Sequence, residues 1–584
     1  MAKKSNNNSK QKQADVDTCV KWAVDHGSSI PELYQFKYDT QKYGVYCKLS
    51  TNDLVHKEQL KFTPLKIDES IILSNDIAQS FLSKFVSIKD LGSLRETHVN
   101  ILIKIFLASS FKLENDSQII DFKPYFDVLP KRIASSIFWS EEELQIVANT
   151  DLHRKTMQIL NKTINPEFEA IKNLNLPFEI TEDLYKWAHC ILSSRGFPAI
   201  LLENVNNKYH KQEAILWPIV DFLNHSNNVQ VQWSKQTEGE GDKISNKLQF
   251  LTVNSNLNGE DNKSDGDDFE IFNNYGENKN SEDYIINYGF ALENLNDEFV
   301  TITTRVANEE YVKLCEDQFL IKFADSFKDP NNDESYIVKF SLSYNKFPIY
   351  LIKFFSVACR LKSENFISRR STLEGLSHIN STLTQMLANY KSKLTTESGK
   401  PIQQDISNLI KNYQVNFKKI LNSNLDLLQE YSKSLIKETK DLFSYKNQVS
   451  TNSAFQKLLK HHLKKSTYKE LLQDESIFNV SLLMFIIYQA KKEISIDTLD
   501  EEDYETTSFI RETFFSVVKS YKITDEDYLD YAPPFASFIE NPSSIISFTL
   551  EDFIIADIVV DKITWEKPSS KEVFFIKQEE YSLN

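Results

Sequence analysis

The 584-residue chain contains 12 glycines, and none of them follows Gly399. Tight turns with positive φ draw on glycine, and glycine weakens helices. Tight positive-φ turns are therefore expected to be scarce in the carboxy-terminal part, as in a region of long helices. The apolar pattern agrees. Ile406, Leu409, Ile410, Tyr413, Phe417, Ile420, Leu421, Leu425, Leu428, Tyr431 and Leu435 follow the i, i+3, i+4, i+7 rule of a helix with one core-facing stripe. A strand-like pair, Ile558–Val560 and Val573–Ile576, is expected to cap this region.

The amino-terminal half reads differently. Residues 1–15 are polar and predict a disordered tail. Short β-type runs follow, including Tyr43–Cys47 and Ser70–Leu73. From Ile77 to about Tyr209 the period becomes helical: Val99, Ile101, Leu102, Ile105 and Phe106 recur on one face, as do Leu184, Trp187, Ala188, Ile191 and Leu192. Thr181-Glu182-Asp183 supplies a cap and early acids for that last helix, and Gly196 closes it. Strands return at Ala214–Val220, Val229–Trp233, Lys247–Val253 and Phe269–Phe272. Between them lies an Asn-, Asp-, Glu- and Gly-rich loop, 254–268, expected to be mobile.

Composition narrows the class. No run approaches the roughly 20 apolar residues that cross a bilayer, and the polar start lacks an apolar signal core. Cys19, Cys47, Cys190, Cys315 and Cys359 are too scattered for a disulfide framework or a zinc knuckle, which points to a reduced intracellular setting. Cytoplasmic residence is expected, with the nucleus left open. A net charge of −16 disfavours direct nucleic-acid binding and favours basic protein partners, although many soluble proteins are acidic for solubility alone. No membrane contact and a monomer are expected.

The chemistry-bearing residues form a two-part constellation. Asp221-Phe222-Leu223-Asn224-His225-Ser226 follows the apolar run Leu216–Val220, and Asn274-Tyr275-Gly276 and Tyr288-Gly289-Phe290 come later. This pairing resembles the signature of SET domains. Phe122–Pro130, Phe138–Leu144, Trp187-Ala188, Ser193–Phe197 and Asn280-Ser281-Glu282 extend the resemblance to one subgroup. That subgroup contains the Rubisco large-subunit methyltransferase and the fungal ribosomal lysine methyltransferases, whose length and layout this chain resembles. The resemblance implies an α+β fold: a mostly-β, pseudoknotted SET domain over 16–310 with a helical insert at about 76–210. An all-α substrate-binding domain follows over 311–584. One position departs from the pattern, because Lys42 stands where the family has the first glycine of a Gly-x-Gly cofactor turn.

The resemblance also implies S-adenosyl-L-methionine as cofactor and a protein lysine as acceptor. Tyr275 takes the place of the catalytic tyrosine. Tyr43, Gly44, Arg195, Asn224, His225 and Phe290 take cofactor-binding places, with Arg195 on the cofactor carboxylate. Ser194, Asp221 and Tyr288 take places along the lysine channel, although core packing explains Tyr288 and Phe290 nearly as well. His225 invites a metal reading, but no second ligand stands at the required spacing and no metal is expected. A basic ribosomal protein is the expected substrate. A translation elongation factor, cytochrome c, a target histidine, or a silent scaffold role remain open.

Overall fold

The computed structural model describes residues 2–39, 44–49, 59–202, 212–226, 229–238, 245–255, 269–276, 278–309, 311, 325–329, 332–361, 364–390, 402–439, 442–492, 501–568 and 570–583. The chain divides into two compact units. One comprises Met1–Asn294 with Asn389–Val415, the other Leu295–Ala388 with Asn416–Asn584.

The first unit opens with a helix, Ala2–Asp25, where composition alone predicts a disordered tail over 1–15. Tertiary packing accounts for the difference. Val16, Cys19, Trp22 and Ala23 are buried, and Trp22 meets Phe122 edge-on at 5.9 Å. Lys12 and Gln13 donate to the carbonyls of Asp127 and Phe36, each at 3.2 Å. A helix with a docked apolar face needs no strong intrinsic propensity.

The strands of this unit are β1 (Tyr34–Asp39), β2 (Gly44–Leu49), β3 (Leu65–Asp68), β4 (Gly196–Pro198), β5 (Ala214–Leu216), β6 (Val229–Glu238), β7 (Ser245–Ser255) and β8 (Glu270–Ile271). They pair antiparallel as β1-β2-β8, β3-β7-β6 and β4-β5. Because β7 reaches Ser255, the expected mobile loop begins later than 254, and residues 256–268 lie outside the described residues. Ser70–Leu73 is not a full strand. The Asp68 side chain accepts from Ser70 N and starts a short 3-10 turn, Glu69–Ile71, leaving only Leu73 bridged to Leu216.

The helical insert contains Asn75–Leu82, Ile88–Thr97, Ile101–Ser109, Ser117–Val128, Asp151–Ile159, Asn165–Lys172 and Glu182–Arg195. Ile101–Ser109 is buried along its whole length, Lys104 included. That ammonium is paired with Glu167 at 2.6 Å, and Tyr185 donates to the same carboxylate at 2.8 Å, as a buried charge requires. Glu182–Arg195 begins at Thr181, whose side chain accepts from Leu184 N, and ends at Gly196 as the sequence predicts.

In the second unit β9 (Phe299–Ala307), β10 (Asp325–Lys328) and β11 (Ser335–Ser343) form a sheet ordered β10-β11-β9. Pairing of β9 with β11, Ile302 opposite Phe340, draws the division back to residue 295 from the expected 311. The heptad-like stripe lies on a single helix, Gln404–Glu438, which belongs to the first unit up to Val415 and to the second from Asn416. Near the end, β12 (Leu442–Ser444), β13 (Thr564–Lys567) and β14 (Glu572–Ile576) are ordered β12-β14-β13. β14 matches the expected Val573–Ile576 strand. Ile558–Val560 is helical instead: Thr549 and Asp552 form a capping box that starts Leu550–Ile563, and Phe553, Ala556, Val559 and Ile563 are buried along it. The region is thus mainly helical with two small sheets rather than all-α. Its core gathers Tyr445, Phe455, Phe485 and Phe575. Among the described residues no single helix is long and apolar enough to cross a membrane. One pair, Ser453–Leu471 and Glu475–Lys491, passes that test jointly but is bent by 112°.

Candidate active site

Two distant segments meet beside β8. Asn273 N donates to Asn224 O at 2.8 Å, and Ser226 N donates to Asn273 O at 3.0 Å, which makes a parallel bridge. The Asn224 side chain donates to Glu270 at 2.6 Å. This pairing sets Tyr275 against His225. Tyr275 N donates to His225 Nδ1 at 3.0 Å, so that nitrogen carries no proton, and the rings stack at 5.1 Å.

The Tyr275 hydroxyl donates to Leu223 O at 2.9 Å. Burial pushes its pKa up to about 12, with Arg195 pulling the other way. The phenol is thus protonated at neutral pH, with its donor committed and its lone pairs available. Tyr288 stacks almost parallel on Tyr275, 5.0 Å and 7° apart, and Phe290 stacks on Tyr284 at 4.9 Å. Lys279 clamps the pair from below. Its ammonium donates to Tyr275 O at 2.7 Å and to the Tyr288 hydroxyl at 3.2 Å.

Helix Ser281–Tyr288 carries Tyr288 and is fixed at both ends. Asn280 and Asp283 form a capping box at its start, and Gly289 closes it at φ +76°. A Cβ at Gly289 would come within 2.9 Å of Ala134 N, so glycine is needed there for space as well as for conformation.

Arg195 ends its helix against Asp221. Nη1 donates to Asp221 O at 2.8 Å and to Oδ2 at 3.2 Å. Burial raises the Asp221 pKa, opposed by Arg195 and by Tyr125. Asp221 Oδ1 is sealed from solvent and, among the described residues, receives no hydrogen bond from another residue. Just before it, Ile219 is held at φ +72°, a strained conformation for a β-branched residue. Ser194 turns its hydroxyl back onto Cys190 O at 2.7 Å, so among the described residues its hydrogen bond stays within its own helix.

The structure therefore brings together Arg195 with Asp221, and Asn224 and His225 with Tyr275, Tyr288 and, through Tyr284, Phe290. Gly44 stands opposite Asp39 in the β1–β2 ladder, and β2 in turn pairs with β8. Tyr43 and Lys42 lie outside the described residues. Residue-type reasoning missed Tyr125, Glu270 and Lys279. Tyr125 sits within the Phe122–Pro130 motif and Lys279 beside Asn280, so proximity to a motif was the available signal.

Comparison with known proteins extends this picture across the chain. Over 629 aligned residues it is 26% identical to protein-lysine N-methyltransferase EFM1 of Saccharomyces cerevisiae, spanning 98% of this chain and 99% of that protein. The chain is a protein-lysine N-methyltransferase, similar from end to end to an enzyme of that activity. Ribosomal lysine N-methyltransferase 1 of the same yeast is 24% identical over 81% of this SET-domain chain and 86% of its own length. The Rubisco large-subunit N-methyltransferase of Nicotiana tabacum is 31% identical over 36% of this chain and 40% of its own. The family model described as the EFM1 middle domain matches residues 299–439.

SET-domain methyltransferases use S-adenosylmethionine, and the residues present fit it. Its amino-acid end is a zwitterion. The sealed Asp221 Oδ1 lacks a donor, and Arg195 spends only Nη1 among the described residues. An incompletely used planar fork is the donor set that the carboxylate of such an end completes. Among the described residues no group of three His, Cys, Asp or Glu side chains is arranged to hold a metal.

Proposed function

We propose that this SET-domain enzyme methylates a lysine of a cytoplasmic translation elongation factor. The coarser activity, S-adenosylmethionine-dependent methylation of protein lysine, goes with its family. The end-to-end likeness to EFM1, against a shorter alignment with the ribosomal enzyme, supports this substrate over a ribosomal protein. The chain's charge of −16 suits a basic partner of either kind.

The observation that carries the mechanism is the Tyr275 hydroxyl donating to Leu223 O beside the Arg195–Asp221 pair. When bound, the cofactor supplies an electrophilic methyl on a sulfonium. Arg195 binds the carboxylate of its amino-acid end, and the paired backbone of Asn224–Ser226 orients the remainder. With its proton committed to Leu223 O, Tyr275 keeps lone pairs that would accept weak C–H···O contacts from the cofactor's polarised methyl. A lysine amine, of pKa about 10.4 in water, reaches the site between aromatic faces that attract a cation, while desolvation there disfavours its charged form. Tyr288 and Phe290 form those faces, and Lys279 holds Tyr288 in its stack. The acceptor's proton leaves to solvent. Most of the rate enhancement is positioning.

The test is transfer of isotope-labelled methyl groups into extract and ribosomes of cells lacking the protein, with Tyr275→Phe as control. One labelled elongation-factor band, absent with the variant and mapped to lysine, is expected. A ribosomal band instead would move the substrate. Label on histidine would overturn the lysine assignment.

A further inference from the structure

The Asp221 carboxylate has a second ligand that the mechanism above does not use. Tyr125, on the insert helix Ser117–Val128, is wholly buried, and its hydroxyl donates to Asp221 Oδ2 at 2.8 Å. Arg195 Nη1 reaches the same oxygen at 3.2 Å. We propose that Tyr125 is a positioning residue for the cofactor: it holds the carboxylate that holds the Arg195 guanidinium. The inference rests on the reading of Arg195 given above.

The geometry separates this role from that of a merely satisfied core phenol. The Tyr125 ring is fixed by stacking on Phe222 at 6.4 Å and 27°, next in sequence to Asp221. Its helix is anchored by Phe122 and Phe126, each packed on Phe106. The hydroxyl therefore approaches Asp221 from a rigid direction. Asp221 itself is enclosed, with Oδ1 unmatched. Without Tyr125, the one side-chain donor left to the carboxylate among the described residues is Arg195, which must also serve the cofactor. A carboxylate so placed either draws the fork further onto itself or takes up a proton and releases it. Either change moves the guanidinium.

The groups that face Asp221 come from four segments: Arg195, Tyr125, Cys19 of the amino-terminal helix, and Tyr275. Burial raises the Asp221 pKa, while Arg195 and Tyr125 lower it. Removing the phenol therefore raises it further, so loss of affinity on acidification starts at a higher pH in the variant.

The experiment is calorimetric binding of S-adenosylhomocysteine to the full chain between pH 6 and 8.5. Tyr125→Phe, which keeps the ring, should bind roughly tenfold more weakly at neutral pH, and the deficit should widen as pH falls. In an Asp221→Asn background the same substitution should change affinity less than about twofold, because there is no carboxylate left to position. Wild-type affinity at every pH, or a loss that persists undiminished with Asp221→Asn, overturns the inference and leaves the methyltransferase reading intact. Failure of the wild-type chain to bind removes both. Should Tyr125→Phe not fold, 3-fluorotyrosine at 125, a stronger donor of nearly the same shape, should shift the acid loss of affinity to lower pH. An unmoved profile overturns the inference.

Discussion

Replacing Gly289 with alanine probes how the aromatic wall of the site is held. Gly289 sits at φ +76° at the end of helix Ser281–Tyr288. A Cβ there would lie 2.9 Å from Ala134 N, 3.1 Å from the Ala134 carbonyl carbon and 3.1 Å from Ser135 N. The left-handed conformation costs an L residue about 1–2 kcal/mol. Overpacking adds about 1–3 kcal/mol, for a total of about 2–5 kcal/mol. The facing backbone cannot easily retreat, because the Ser135 hydroxyl donates to Ile286 O and accepts from Ile137 N. The helix end must therefore give way and carry Tyr288 off its stack on Tyr275. Urea unfolding followed by tryptophan fluorescence measures the effect. Trp22, Trp139, Trp187, Trp217 and Trp233 lie in the first unit and only Trp565 in the second, so the signal follows the unit that changes. Gly92→Ala is the control: it lies inside helix Ile88–Thr97 with nothing within 4 Å of an added Cβ, and a gain of about 0.5–1 kcal/mol is expected. A Gly289→Ala protein within about 0.5 kcal/mol of wild type, the range of an inconsequential surface change, would refute the packing argument.

Other consequences are equally open to measurement. Tyr275→Phe should lower single-turnover methyl transfer by about 10²–10³-fold while leaving S-adenosylhomocysteine affinity nearly unchanged; turnover near wild type would show that the hydroxyl does not orient the methyl. Lys104→Met strands Glu167 in the insert core and should destabilise the first unit by about 3–5 kcal/mol. Adding Glu167→Gln should restore much of that loss, and an equal loss in the double variant would contradict the ion-pair account. His189 is buried beside Lys104, and burial drops its pKa from 6.5 to about 3. Between those values the unfolded chain binds the extra proton, so stability falls as pH falls, by up to about 1.4 kcal/mol per unit. His189→Gln should flatten urea midpoints measured from pH 7 to 4, and an unchanged slope would exonerate this histidine.

Much of the candidate site's arrangement was legible because its residues are concentrated in short motifs. Asp221–Ser226 and Asn274–Gly276 are distinctive in sequence, and the structure pairs them backbone to backbone through Asn273. Helix limits were readable where a side chain makes the cap, as at Thr181. Expectations failed where tertiary contact outweighs local composition. The polar residues before Val16 extend a helix anchored by Trp22 and Cys19, and the β-branched Ile558–Val560 run follows the helix that Thr549 starts. The domain boundary was missed for a similar reason: the partner that fixes β9 is β11, whose sequence follows later. Tyr125 escaped notice because a buried aromatic in an apolar helix reads as core. Only the oxygen at the end of its ring reveals more.

On the proposed reading, the charged and titratable groups nearest Tyr275 and Arg195 are already engaged among the described residues. Asp221 is the carboxylate in contact with Arg195, and it is engaged by Arg195 and Tyr125 rather than free to accept a proton. Tyr275 holds its own proton at neutral pH, since burial keeps its pKa near about 12. Leu223 O takes that proton's hydrogen bond and so fixes which side of the oxygen remains open. On the proposed reading, the acceptor lysine's proton therefore leaves to solvent. The chain's own share is to hold two elements still: an arginine fork through a doubly anchored carboxylate, and a phenol oxygen through one backbone carbonyl. Both depend on a single stretch, Asp221–His225, which supplies the carboxylate, the carbonyl and the partners of Asn273 and Tyr275. The strained Ile219, at positive φ two residues before Asp221, stands at the entry to this stretch.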